Sequence, residues 1–157
     1  MTSKKNSTAS SQRCTCFALR KLTRTVSRLY DQHLAAVGLK TTQYSLLKNI
    51  AIAPLPVAEL AARIGTERTT VTRNLKPLID AGWVGLNPGA DTRQRIVSIT
   101  SSGRAKIRSA RQAWLRAQAE LETLLGIDTV LALHAGIDTA LTQLNPLFEE
   151  HAHAEPI

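Results

Sequence analysis

From Phe17 to about Ala36, Leu19, Leu22, Val26, Leu29 and His33 recur at spacings of three and four, while Arg20, Lys21, Arg24 and Arg28 fill the other side. That period predicts an amphipathic helix, which Gly38 ends. A second helix follows, capped by Thr41 or Thr42, with Tyr44, Leu47 and Ile50 on its apolar face. Pro54 and Pro56 in "APLP" stop it. Val57 to Ile64 reads as a short helix with Leu60, Ala61 and Ile64 inward, and Gly65 supplies a sharp turn. Thr66 or Glu67 then opens a helix that points Val71 and Leu75 at the core. Pro77 lies inside it, removing one backbone bond and predicting a bend, and Gly82 suits a left-handed cap. The period now drops to two. In "WVGLNPGADTRQRIVSIT", Trp83, Val84 and Leu86 lead into a turn and Ile96, Val97 and Ile99 lead back. Helical spacing returns with Ile107, Ala110, Trp114, Ala117, Leu121 and Leu124. After "GID", with Asp128 as N-cap, it continues with Val130, His134, Ile137, Leu141, Leu144 and Phe148.

Helix, glycine-containing turn, helix and hairpin in that order make a winged helix-turn-helix. The expected fold class is therefore mainly α with a small β-hairpin: a winged helix-turn-helix domain plus terminal dimerisation helices. Residues 1–13 are expected to be a flexible basic arm and 14–38 the first dimerisation helix. Residues 39–100 would form the DNA-binding domain, and 101–157 the C-terminal dimerisation helices. The terminal apolar stripes are too long for the nearby chain to cover, so a homodimer is expected.

Composition narrows the partner. The chain has 157 residues, of which 43% are hydrophobic and 20% charged, a globular balance with enough length for a core. Lys and Arg number 20 against 12 Asp and Glu, a formal charge of +8. Such an excess points to an anionic partner, most often nucleic acid. No apolar run reaches membrane-spanning length, and "MTSKKNSTASSQR" lacks the apolar stretch of a secretory signal. Cys14 and Cys16 are too close for a structural cross-link, which fits a reducing cytoplasm. A nucleophile–base pair, a metal-ligand set and a phosphate-binding glycine loop are all lacking, so neither an enzyme nor a cofactor is expected. His151 and His153 read as a polar tail, and His33 and His134 as packed core histidines.

Candidate chemistry gathers in two places. "RTTVTR" opens the second helix of the pair: Thr69, Thr70, Thr72 and Arg73 suit base edges and thymine methyls, and Arg68 and Lys76 suit phosphates. The hairpin tip carries Asp91, Arg93 and Arg95, which aim guanidinium groups off its end.

"GLKTTQYSLL", "LAARIGTERTTVTRNLKPLIDAGWV" and "DTRQRIVSITSSGRA" together resemble the MarR family of bacterial transcriptional regulators. The resemblance runs from about Cys16 to Phe148. It implies that Arg93 enters a minor groove, where negative potential is concentrated, with Asp91 as its brace. It also implies a homodimeric repressor on a pseudo-palindromic operator in double-stranded DNA, released by a small aromatic or phenolic effector. "RCTCFALRKLTRTVSRLY" resembles the organic-hydroperoxide-sensing branch. There Cys16 would match the peroxide-reactive cysteine and Tyr30, fourteen residues on, one tyrosine that bonds it; Thr41 stands where a second tyrosine is expected. Redox sensing through Cys16 is thus the alternative on the same scaffold.

Overall fold

A computed structural model describes residues 14–91 and 94–145. The basic arm at 1–13, Arg93 at the wing tip, and Phe148, His151 and His153 lie outside the described residues. The chain divides into two compact units, Met1–Ala117 and Gln118–Ile157.

In the first unit, α1 (Thr15–Leu34) buries Tyr30 and Leu34, one residue beyond the expected Leu29 and His33; Leu22, Val26 and Leu29 are half-buried, and Phe17 and Leu19 are exposed. A 3-10 turn, Ala35–Val37, ends at Gly38. Helix α2 (Thr41–Ile50) buries Tyr44, Leu46, Leu47 and Ile50. Neither predicted threonine caps it. Lys40 is the capping position, and the Thr41 N–H donates to Asp31 Oδ1 at 2.6 Å. The Gln43 side chain accepts the Lys40 N–H at 2.9 Å. A carboxylate reaching over from α1 satisfies an orphan amide and meets the positive end of the helix dipole.

"APLP" does more than stop α2. Leu55–Pro56 form a short strand, β1, before α3 (Val57–Arg63). After α4 (Arg68–Asp80) come β2 (Val84–Pro88) and β3 (Arg95–Ile99). The sheet is antiparallel in the order β1-β3-β2, with Leu55 opposite Val97 and Val84 opposite Ile99. A two-residue strand ending in proline gives no periodic signal, because Pro56 has no N–H for the ladder.

Gly65 adopts φ 67° and Gly82 φ 71°, the left-handed turns that end α3 and α4. Each closes the same way: the Thr66 N–H reaches the Ala61 carbonyl at 3.0 Å, and the Trp83 N–H reaches that of Leu78 at 3.0 Å. Helix α4 runs unbroken through Pro77. Leu34, Leu47, Ile50, Leu60, Val71, Leu75, Leu78 and Val97 are fully buried, so α1, α2, α3, α4 and β3 each send a large side chain into one core, and Leu55 of β1 is 3% exposed. Val84 of β2 joins it at 2% exposure. At about 25 cal/mol per Å² of apolar surface, this burial is the main term fixing α4 against α2 and α3.

Helix α5 (Ser101–Leu125) adds Ala110 and Ala113 to that core and passes from one unit into the next. Within the second unit, α6 (Ile127–Leu144) follows Gly126, whose φ is 79°. Asp128 stands inside its first turn rather than capping it. Val130 is buried, while Leu131, Ile137, Leu141 and Leu144 are 43–57% exposed. The core assignment of the histidines is corrected: His33 is half-buried, one position off the face that buries Leu34, and His134 is exposed on a face of α6 that no described residue covers. Among the described residues, no single helix is long and apolar enough to cross a membrane.

Candidate nucleic-acid interface

Helix phase divides α4 cleanly. Val71, Leu75 and Leu78 anchor one face in the core. Arg68, Thr69, Thr72, Arg73 and Lys76 line one open concavity on the other. These positions are successive i, i+1, i+4, i+5 and i+8 neighbours, which 3.6 residues per turn place side by side. Thr70, also expected at bases, lies outside this concavity and is half-buried at its flank.

The cations on this face differ in what they already touch. Lys76 Nζ pairs with Asp80 at 2.9 Å, one turn along the same helix. Arg68 and Arg73 pair with no carboxylate among the described residues. The Thr72 hydroxyl donates to the Arg68 carbonyl at 2.9 Å, which uses its proton and leaves its oxygen able to accept. The face therefore offers two threonines, one lysine partly neutralised by its neighbour, and two guanidinium groups that pair with no carboxylate among the described residues.

At the wing, β2 and β3 pair from Val84–Ile99 out to Pro88–Arg95. The Gly89 N–H donates to the Gln94 carbonyl at 2.9 Å, and the Gln94 N–H to that of Asp91 at 2.9 Å. Asp91 and Arg95 are exposed; Arg95 shares the strand face of buried Val97 but stands beyond the core's edge. Arg93 lies outside the described residues, so the expected brace from Asp91 falls there too.

Other predicted positions sit elsewhere. Cys14 and Cys16 are free and exposed at the start of α1. Tyr30 is buried fourteen residues along the same unbroken helix. A rise of 1.5 Å per residue separates Cys16 from it by about 21 Å, so the two cannot meet within one chain. Trp114 packs between Tyr30 and Tyr44, each ring centroid 6.4 Å away, tilted to the first and stacked on the second. It is an aromatic keystone joining α1, α2 and α5. Burial pushes the Tyr44 phenol up, and the nearby Arg111 partly offsets that. One contact escaped sequence reasoning: the Lys106 ammonium lies 4.6 Å over the Trp83 ring and also bonds the Val37 carbonyl. Neither partner lies at helical or strand spacing from Lys106, so no periodic signal could have shown it.

The MarR family profile matches residues 37–94, which run from the turn before α2 to the wing tip. The fold is similar to that of the transcriptional regulator MosR of M. tuberculosis in complex with DNA. That likeness has a TM-score of 0.72 and 36% identity, covering 83% of this chain and 98% of that one. A mutant MarR from E. coli complexed with operator DNA shares the fold with a TM-score of 0.72 at 24% identity, over 79% of this chain and 91% of its own. The HTH-type transcriptional regulator YwoH of Bacillus subtilis is 29% identical over 99 residues, 62% of this chain and 72% of that protein. With its helix-turn-helix, its wing and a match that spans 98% of MosR, the chain belongs to the MarR family of DNA-binding transcriptional regulators.

Proposed function

We propose that this regulator is a homodimeric repressor that binds a pseudo-palindromic operator and leaves it when a small aromatic or phenolic effector binds. The observation that carries this reading is the outward face of α4, where exposed threonines flank two guanidinium groups that pair with no carboxylate among the described residues. None of these side chains belongs to the buried core. The face offers what the major groove accepts: methyls for thymine, hydroxyls for base edges and a fork for guanine. MosR, described in complex with DNA, supports the same role.

In the dimer the α4 helices enter successive major grooves roughly 34 Å apart. Thr69, Thr70, Thr72 and Arg73 read base edges; Arg68 and Lys76 hold phosphates. The wing lays Arg93, braced by Asp91, in the adjoining minor groove, and Arg95 supports it on the backbone. Dimerisation is supported by the uncovered apolar surface of α6 and by exposed Phe17 and Leu19 on α1. An effector acts through differential affinity, favouring a spacing of reading heads that B-DNA does not fit.

Selection from a random-sequence duplex pool tests the proposal. The expected product is a pseudo-palindrome with half-sites about one helical turn apart. Enrichment of a single unrepeated half-site would overturn the dimeric reading, and no enrichment would overturn sequence-specific repression.

A second reading is favoured by the exposure of both cysteines. A thiol open to solvent at a helix start is open to peroxide, and sulfenic acid formed at Cys16 would alter the α1 surface. In that scheme Tyr30 meets Cys16 only across a dimer.

A further inference from the structure

Thr100 stands between the last residue of β3 and the first of α5. Its hydroxyl accepts the Gly103 N–H at 3.0 Å, which caps α5. The same hydroxyl lies 2.8 Å from the Gly82 carbonyl and 3.1 Å from that of Trp83. The Thr100 N–H donates to the Trp83 carbonyl at 3.1 Å, and the Ser102 hydroxyl donates to Gly82 at 2.8 Å. Packing is as tight as the bonding: a Cβ on Gly103 would fall 2.1 Å from the Trp83 oxygen, so only glycine fits. The end of the reading helix, both roots of the wing and the first turn of α5 therefore meet at one side chain.

Leverage gives this junction consequence. Beyond Val84 the wing leaves the core, and Leu86 is already 40% exposed. Five strand residues at 3.3 Å each make an arm of about 17 Å, so a tilt of roughly ten degrees at its root moves the tip by about 3 Å. That displacement is a hydrogen-bond length.

We infer that Thr100 is a positioning residue for DNA reading: its hydroxyl locks the wing at the angle to α4 that lets tip and reading helix engage adjacent grooves together. The inference rests on the wing's proposed place in the minor groove. Its prediction is a split between grooves rather than a uniform loss.

The test uses the full chain and a duplex that the parent protein selects from a random pool. Hydroxyl-radical cleavage reports minor-groove sugars and dimethyl sulfate reports guanine N7 in the major groove, for the parent, Thr100→Val, Thr100→Ser, Ser102→Ala and Arg93→Ala. Thr100→Val is expected to lose minor-groove protection and keep the major-groove pattern, with no greater loss of affinity than Arg93→Ala. Thr100→Ser retains the hydroxyl and should keep both patterns. Where Thr100→Val melts below the assay temperature, Ser102→Ala carries the test, with weakened minor-groove protection at an unchanged melting temperature. Loss of protection in Arg93→Ala but full protection in Thr100→Val and Ser102→Ala overturns the positioning role alone. Equal loss in both grooves for a folded Thr100→Val also overturns it. Full protection in Arg93→Ala overturns the wing reading and this inference with it.

Discussion

Arg73 and Lys76 lie one turn apart on the same exposed face, yet they bring unequal charge to DNA. Asp80 already pairs with Lys76, whereas no carboxylate among the described residues pairs with Arg73. Arg73→Ala is therefore expected to cost about 1–3 kcal/mol at particular operator positions and to relax preference there. Lys76→Ala should weaken all sequences alike, and by less. Arg93→Ala should lower the slope of log affinity against log salt by roughly one unit. Competition among singly substituted duplexes across a salt titration separates the three, and an identical profile for Arg73→Ala and Lys76→Ala would break the assignment. Tyr44 marks a different effect. Burial raises its phenol above 10.0, so the folded chain keeps a proton that the unfolded chain releases. Unfolding then gains from high pH: this contribution is intact below about pH 10 and lost as pH rises further. Denaturation midpoints measured through pH 9 to 11 should fall less for Tyr44→Phe than for the parent.

Elements were legible where one face of a periodic segment meets the core. The stripes of α2, α3 and α4 and the alternation of β2 and β3 name many of the side chains that the structure buries, including Leu47, Ile50, Leu60, Val71, Leu75 and Val97, although Ile64 is only half-buried and Leu86 is exposed. A single buried face imposes a period, and the period can be read. The features that escaped owe nothing to periodicity. Asp31 caps α2 from ten residues upstream, β1 is two residues long, and Thr100 acts through carbonyls seventeen and eighteen residues behind it. "ITSSG" does carry a local hint, a threonine just before a helix, but it predicts a cap and not the tie to the wing. On α4, spacing alone gives the outward face and sets Lys76 one turn from Asp80, while the bond from the Thr72 hydroxyl back to the Arg68 carbonyl leaves no mark in the sequence. The contrast can be measured on α3. Leu60 is fully buried, so Leu60→Ala should cost about 2–5 kcal/mol in urea denaturation. Arg63→Ala, which breaks only an exposed pair with Glu59, should stay within about 0.5 kcal/mol. Comparable losses for both would mean that α3 is held by its surface rather than its core.

At the scale of the whole molecule, charge and apolar surface call for different partners. A formal charge of +8 suits DNA, while exposed Leu131, Ile137, Leu141 and Leu144 call for a protein surface. Removing residues 128–157 should yield monomeric or insoluble protein with weak duplex binding; a soluble truncated chain binding as tightly as the parent would refute the α6 interface. The signal that releases DNA is a separate matter, and Cys16 decides it. Exposure leaves the thiol accessible, but the one tyrosine assigned to it lies about 21 Å away along α1, a distance set by 1.5 Å per residue. Within one chain nothing at Tyr30 can steady a sulfenate at Cys16. Release by an aromatic or phenolic effector is accordingly expected to survive Cys16→Ser unchanged, with peroxide acting only at doses that damage the parent and the variant alike. Anisotropy of a labelled duplex, followed through oxidant, reductant and effector additions, reads both arms in one experiment. Release by mild oxidation that reductant reverses, present in the parent and absent from Cys16→Ser, would instead make the thiol the sensor and place its tyrosine partner on the second subunit.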